Sequence, residues 1–172
     1  MKGNETAQTI NSEDGLSFAV TVTRTDNRWL VAEFDDDFTT LDTSVRAVRG
    51  LRSEGPAFAL LCVEDEYFVI VRPTPANVHV FLSDATMAVD DDFAASAMDE
   101  MDADIPDLDP EELDDVDPWA EGDFDLLADL GLSGQVLSVI ADDQELAPSE
   151  QLLRVAEELG FDEELARRVG LD

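Results

Sequence analysis

The segment from residue 73 to residue 153 contains no lysine or arginine, and this absence constrains the fold more than any other feature of the chain. Its 81 positions carry 23 aspartates and glutamates, and the formal net charge of the 172-residue chain is -32. Carboxylates of one sign repel one another and favour an extended or solvated segment. They also repel phosphate backbones and anionic membranes. The sequence therefore predicts no direct binding to nucleic acid and no membrane association.

Apolar residues cluster in periodic runs on both sides of the most acidic stretch, which predicts two folded parts. The division follows the composition along the chain. It predicts a disordered tail at residues 1–15, a sheet domain at 16–89, a largely disordered acidic linker at 90–122 and a helical mini-domain at 123–172.

The sheet domain is predicted to be α+β. Alternating apolar residues at 17–24 and an apolar run at 28–34 predict a hairpin, and apolar residues at helical spacing from Leu41 to Leu51 predict one amphipathic helix. Three further β-rich runs follow at residues 57–63, 67–71 and 78–82, joined by short connections. Short connections favour antiparallel neighbours, so we expect an antiparallel sheet of about five strands with one packed helix. The run at 57–63 is apolar on both faces, which places it centrally, under the helix.

The acidic linker contains scattered apolar residues, among them Phe93, Leu113 and Trp119. One interpretation is a charged, disordered spacer. The other is an interaction motif, in which carboxylates keep apolar anchors solvated until a partner with a basic, apolar groove binds them. Under the second interpretation Phe93, Leu113 and Trp119 are the candidate partner-binding residues.

The carboxyl-terminal part has the start and stop signals of four short helices. Asp123, Ser133, Ser149 and Asp162 precede its four apolar runs, and glycine follows three of them. We therefore expect a small all-helical bundle. About 50 residues bury only a modest core, so the bundle is expected to depend on the sheet or on a partner for stability.

Arg46, Arg49 and Arg52 recur at spacings of three residues along the predicted helix and form a basic stripe. One interpretation is a solvated helix face, or pairing with acidic residues of the same chain. The other is contact with carboxylates or phosphates of a partner. Three arginines are too few for general RNA binding, whose affinity comes largely from neutralised phosphates.

The sequence contains few residues that could act in catalysis or bind a metal. His79 is the only histidine and Cys62 the only cysteine, so the chain cannot assemble a histidine–cysteine zinc site. Cys62 lies in the most apolar run and is expected to be a buried small residue instead of a nucleophile. The sequence predicts no catalytic residue, no metal ligand and no cofactor. One cysteine and the lack of a long apolar segment predict a cytoplasmic protein.

Two motifs are specific enough to resemble a known family. They are VFLSDATMA at residues 80–88 and DLLADLGLS at residues 125–133, set in a layout of strands, acidic spacer and terminal helices. This combination resembles the actinobacterial tRNA adenosine deaminase-associated proteins over nearly the whole chain after the first fifteen residues. The resemblance implies association with the enzyme that converts adenosine to inosine in the tRNA anticodon, and it carries no catalytic residues with it.

Two classes of function follow. The first is a noncatalytic partner protein, associated with tRNA adenosine deaminase, that docks through acidic and helical surfaces on a basic protein. The second is an independent small-ligand-binding or enzymatic sheet domain, for which the acidic run is a solubilising tether. A pocket lined by His79, Tyr67 or the arginine stripe would favour the second class. We expect the first.

Overall fold

A six-stranded antiparallel sheet forms the centre of the protein. The computed structural model describes residues 17–170, apart from the side chain of Asp114; the tail expected at residues 1–15 lies outside this range. The strands stand in the order β2-β1-β3-β4-β5-β6. They are β1 (Phe18–Thr25), β2 (Arg28–Glu33), β3 (Ala57–Val63), β4 (Tyr67–Pro73), β5 (Val78–Leu82) and β6 (Glu121–Gly122). The predicted α+β class is confirmed.

The sheet has one strand more than expected. The additional strand, β6, has only two residues and is therefore not predicted from the sequence. Its pairs with β5 are Phe81 with Gly122 and Leu82 with Glu121. Such a short strand shows no period of two in the sequence. Gly122 has a φ of +130°, and a Cβ there would lie 2.3 Å from the Val80 carbonyl oxygen, so the close approach of the two backbones requires glycine.

Helices cover both faces of the sheet. On one side lie α1 (Asp42–Gly50) and α2 (Asp92–Glu100), and on the other lie α3 (Gly134–Asp142), α4 (Pro148–Leu159) and α5 (Asp162–Val169). We call these sides the α1–α2 face and the α3–α5 face. Because both faces are covered, Leu60 and Leu61 of β3 are both fully buried although they point to opposite sides. The central place expected for this strand is confirmed, since β3 lies between β1 and β4 and contacts α1.

Each face has its own hydrophobic core. On the α3–α5 face, Val20, Leu60 and Phe68 of the sheet belong to one buried cluster with residues of the three terminal helices, such as Leu152 and Leu165. On the α1–α2 face, a second cluster joins the opposite side chains of the same strands to α1 and α2. The terminal helices therefore share a core with the sheet.

Two elements differ from the expectations, for local reasons. Helix α1 ends at Gly50, just before Leu51, the last apolar residue of the predicted helix, and Arg52 has a positive φ of 51°. The first of the four terminal helices is replaced by turns and a 3-10 helix at Ala128–Leu130, followed by Gly131 in the left-handed conformation. A run so short gains few helical hydrogen bonds against the cost of nucleation.

The segment expected to be a disordered linker contains α2. The Asp91 carboxylate caps this helix by accepting hydrogen bonds from the backbone N–H groups of Phe93 and Ala94. Phe93, Ala94, Ala97 and Met98 are buried against the sheet. The apolar residues at positions i, i+1, i+4 and i+5 form a helical face, a pattern that the surrounding charge obscures.

Candidate functional site

The most acidic exposed stretch of the described chain begins in the last turn of α2. We define the acidic segment as residues 99–117, which contain eleven aspartates and glutamates and no cation. Each of its carboxylates that the structure describes lies on an exposed residue, whereas Met101, Leu108 and Leu113 are half-buried. The charged groups face solvent because desolvating unpaired carboxylates is costly. The acidic segment therefore presents a one-signed surface.

The acidic segment is held to the rest of the protein at both ends. At its start, Met101 and Ala103 pack against the core of the α1–α2 face, and the Ala103 N–H donates to the Met98 carbonyl at 2.9 Å. Just beyond its end, the Ala85 N–H donates to the Trp119 carbonyl at 2.7 Å. These contacts fix where the carboxylates are presented.

A local cap orders the middle of the acidic segment. Pro110–Asp115 is a 3-10 helix, preceded by Asp109. The Asp109 N–H donates to Glu112 Oε1 at 2.9 Å, which is half of a capping box. Proline at the first helical position has no N–H to leave unsatisfied. The segment thus has defined local structure despite its charge.

The three predicted anchors have different environments. Phe93 is 1% exposed and stacks edge-to-face on Phe38, with ring centroids 5.7 Å apart, so it belongs to the core of the α1–α2 face and is not displayed. Leu113 is half-buried within the 3-10 helix. Trp119 is 39% exposed. Of the three, Trp119 is the most accessible to a partner.

The predicted arginine stripe is only partly helical. Arg46 and Arg49 are exposed on α1, and Arg52 is exposed in the loop beyond the end of the helix. Arg49 Nη2 donates to the Thr74 carbonyl at 3.0 Å, which ties the end of α1 to the β4–β5 loop. No ion pair involves these arginines within the described part of the chain.

Two polar side-chain interactions between distant parts of the chain are not predicted from the sequence. Arg72 of β4 pairs with Asp129, and His79 Nδ1 of β5 lies 2.9 Å from Asp123 Oδ2. Both links join the sheet to the start of the terminal helical part. No local pattern reveals them, because the partners are 57 and 44 residues apart.

His79, Arg72, Asp123 and Asp129 line a cleft of about 180 Å³. Ligand pockets of drug-sized molecules are usually about 300–1,000 Å³. Tyr67, the other expected pocket residue, is fully buried. Neither residue lines a ligand-sized pocket. Arg49 and Arg52 of the arginine stripe, in contrast, line a cleft of about 420 Å³, which is the kind of feature expected for the second class of function.

The described residues contain no group of three or more histidines, cysteines or acidic residues arranged to hold a metal ion. Cys62 is buried on the α3–α5 face. Burial, together with the nearby Asp65 carboxylate, raises the pKa of the Cys62 thiol far above its ordinary value. A thiol held protonated in this way is a poor nucleophile.

Comparison with known proteins identifies the family. Residues 17–162 match the family model described as Rv3753c-like tRNA adenosine deaminase-associated protein. The chain belongs to this family. It is also 47% identical over 150 residues to Protein Rv3753c of Mycobacterium tuberculosis (strain ATCC 25618 / H37Rv), an alignment that covers 87% of this chain and 85% of the relative. No solved structure matches.

The matched range of this Rv3753c-like protein includes both the sheet and the acidic segment, and it ends at Asp162, the first residue of α5. The resemblance expected from residues 80–88 and 125–133 is therefore confirmed. The family description names association with a deaminase, and it does not describe a deaminase. Across residues 17–170, no helix has the length and apolar character needed to cross a bilayer.

Proposed function

We propose that this protein is a noncatalytic partner of tRNA adenosine deaminase and that its acidic segment docks on a basic surface of that enzyme. Membership of a deaminase-associated family is the observation that carries the proposal. The exposed carboxylates at residues 99–117 supply the complementary chemistry. We expect the complex to form in the cytoplasm.

The electrostatic argument specifies the kind of surface. An enzyme that binds tRNA needs cationic side chains to neutralise phosphates. A carboxylate-rich segment is complementary to the same side chains, and such complementarity speeds association and sets orientation more than it adds affinity. The acidic segment would therefore compete with tRNA for the basic face. Trp119, partly exposed just beyond the segment, would add an apolar contact.

The composition of the chain supports a noncatalytic role. Adenosine deamination by this class of enzymes uses zinc held by one histidine and two cysteines, or by three cysteines, with a glutamate as acid and base. The chain contains one histidine and one cysteine. These residues cannot supply the zinc ligands.

Isothermal titration of the recombinant deaminase with this protein at about 50 mM salt tests the proposal. Neutralising four carboxylates of the acidic segment, as D102N/D104N/D107N/E111Q, should weaken binding by about tenfold or more, because each lost exposed pair costs about 0.2–1 kcal/mol. The matched control E54Q/E145Q/E158Q/E163Q removes the same charge from exposed residues elsewhere. We expect the control to bind within about twofold of the unchanged protein.

Two results would contradict the proposal. One is the absence of a complex in both titration and co-purification at low salt. The other is an equal loss of affinity in the two charge variants, which would mean that net charge alone drives binding. Addition of tRNA should lower the apparent affinity if the two ligands share the basic face.

A further inference from the structure

A group of unpaired arginines lies on the α1–α2 face of this otherwise acidic protein. We define the arginine surface as Arg28 of β2, Arg46 and Arg49 of α1, and Arg52 of the following loop, together with Leu30 of β2 and Leu51 at the end of α1. All six residues are exposed, Leu30 by 60% and Leu51 by 43%. Both leucines are large apolar side chains left in contact with water.

Strand alternation places the β2 residues on the same face as α1. Trp29 and Val31 pack into the core of the α3–α5 face, so Arg28 and Leu30 point to the opposite side of the sheet. Helix α1 packs on β3 and β4. The part of the face formed by β2 is therefore left uncovered beside the helix.

The four arginines have no carboxylate partner among residues 17–170, whereas three of the five other arginines in that range do. Arg72 pairs with Asp129, Arg154 with Glu157 and Arg167 with Glu164. The chain has 42 acidic residues against ten lysines and arginines. Despite this excess of carboxylates, the four arginines have no ion pair within the described chain, although Asp26, Asp42 and Glu54 are close to them in sequence. At physiological salt, charges more than about 8 Å apart are largely screened, so the arginine surface can attract an anion locally.

A cleft of about 420 Å³ adjoins Arg49 and Arg52. Apolar residues from α1, from the ends of β3 and β4 and from the adjoining loops contribute to its lining: Val48, Pro56, Ala57, Pro73 and Pro75. This combination of an apolar lining with cationic side chains suits an apolar side chain flanked by carboxylates.

We propose that the arginine surface binds a carboxylate-rich polypeptide segment of a partner protein, with apolar side chains seated on Leu30, Leu51 and the adjoining cleft. RNA fits less well, because single-stranded RNA binding depends on exposed aromatic rings for base stacking, and the surface has none. The ring of Trp29 is already in contact with two side chains: the Arg24 guanidinium lies 5.4 Å from its centroid, and the Phe161 ring centroid lies 4.9 Å from it. This inference goes beyond the proposed function, since it involves neither the acidic segment nor the deaminase.

Fluorescence anisotropy with a labelled amphipathic peptide of about 20 residues, glutamate on one helical face and leucine on the other, tests the inference. The comparison variants are R46Q/R52Q on the arginine surface and R154Q/R167Q on α4 and α5, which change the net charge equally. We expect salt-sensitive binding that R46Q/R52Q weakens by about fivefold or more, and that R154Q/R167Q changes by less than about twofold. A peptide with glutamine in place of glutamate should bind about as weakly as the glutamate peptide binds R46Q/R52Q.

Several outcomes would overturn the inference. They are no binding of the glutamate peptide, equal losses in the two variants, or tighter binding of a single-stranded RNA of about 20 nucleotides than of the peptide. Self-association seen by sedimentation velocity and abolished by R46Q/R52Q would assign the surface to a second copy of the chain instead. Equal melting temperatures of the two variants would establish that both remain folded.

Discussion

The guanidinium of Arg72 donates hydrogen bonds to both carboxylate oxygens of Asp129, with N–O distances of 2.6 and 3.1 Å. It also donates to the Leu126 carbonyl at 2.7 Å. The bonds from Arg72 to Asp129, with the charge of Arg72, lower the pKa of the Asp129 carboxyl below its ordinary value. One side chain thus connects β4 to the turns that lead into the terminal helices.

Replacing Arg72 with methionine should lower the free energy of unfolding by about 1–3 kcal/mol. The Arg72 side chain is only 17% exposed, so the change removes charge-assisted bonds and leaves the Leu126 carbonyl without this donor. Urea denaturation measures the effect. The control is Arg154→Met, since Arg154 and Glu157 form an exposed pair at 3.6 Å and its loss should cost less than about 0.5 kcal/mol. Equal effects of the two changes would contradict a structural role for Arg72.

The predictable parts of the fold are those with a strong local period. The first five strands are confirmed because alternation and apolar runs in β1 to β5 coincide with burial. Helix α2 was missed because its buried residues, such as Phe93 and Met98, stand among aspartates, and its charge suggested solvation. Whether these residues are buried depends on the sheet surface that α2 covers. A short stretch of sequence around α2 contains no information about that surface.

In the candidate site, too, some features can be predicted from the local sequence and others depend on tertiary packing. The charge of the acidic segment can be read directly from composition, and its exposure follows from the cost of burying carboxylates. The sequence does not show that Arg28 and Arg46 lie on the same side of the sheet. That placement depends on the alternation of side chains along β2 and on the side on which α1 packs. Phe93 is a core residue and not an exposed anchor, and this likewise depends on its contact with Phe38, which lies 55 residues earlier.

Mild acidification should stabilise the protein. Burial raises the pKa of the Asp84 carboxyl and of the Asp36 carboxyl, so the folded state binds protons more tightly than the unfolded chain. Stability from these groups is complete below their unfolded pKa values and is lost as the pH rises through the folded ones. Lowering the pH from about 7 to about 4.5, closer to the ordinary aspartate pKa of about 3.9, should therefore raise the melting temperature, by about 2–4 °C for each kcal/mol gained.

Asp84→Asn tests the origin of this pH dependence. Asparagine keeps an oxygen that can accept from the Thr86 N–H, the bond by which Asp84 caps the 3-10 helix Ala85–Val89. The variant should therefore fold, and its melting temperature should change less between the two pH values. A pH dependence identical to that of the unchanged protein would remove Asp84 from the explanation. The Asp129 carboxyl does not oppose the trend, because its lowered pKa affects stability only at more acidic pH.

Phe93→Ala should lower the free energy of unfolding by about 3–5 kcal/mol. Phe93 is almost fully buried and packs on Phe38, so truncation leaves a cavity in the core of the α1–α2 face. Leu113→Ala, at a half-buried position of the acidic segment, should cost less than about 1.5 kcal/mol. Urea denaturation compares the two. Little destabilisation in Phe93→Ala would restore Phe93 as a candidate anchor for a partner.

Cys62 should resist modification by thiol reagents in the folded protein. Burial and the Asp65 carboxylate keep the thiol protonated at neutral pH, and the thiolate is the reactive form. Labelling with the disulfide reagent dithionitrobenzoate should therefore be slow in buffer and accelerate with urea as the chain unfolds. The urea-denatured chain, labelled in parallel, gives the reference rate. Rapid labelling without urea would contradict the burial of Cys62.

The sheet and the terminal helices should unfold in one transition. Phe161, fully buried between α4 and α5, lies 4.9 Å from the Trp29 ring and 6.2 Å from the Phe58 ring, measured between centroids. In a Trp119→Phe background, Trp29 fluorescence reports the contact between β2 and the terminal helices, and far-ultraviolet circular dichroism reports the strands and helices of the whole chain. The two midpoints in urea should coincide.

Phe161→Ala should shift both midpoints equally, because its cavity lies in the core that the two parts share. A loss of about 3–5 kcal/mol is expected for a buried phenylalanine. Transitions at different urea concentrations, with Phe161→Ala moving only the helical one, would instead mean that residues 123–172 fold as a separate mini-domain. A single transition would mean that the acidic segment joins two parts of one cooperative unit, so that its presentation to a partner depends on the stability of both.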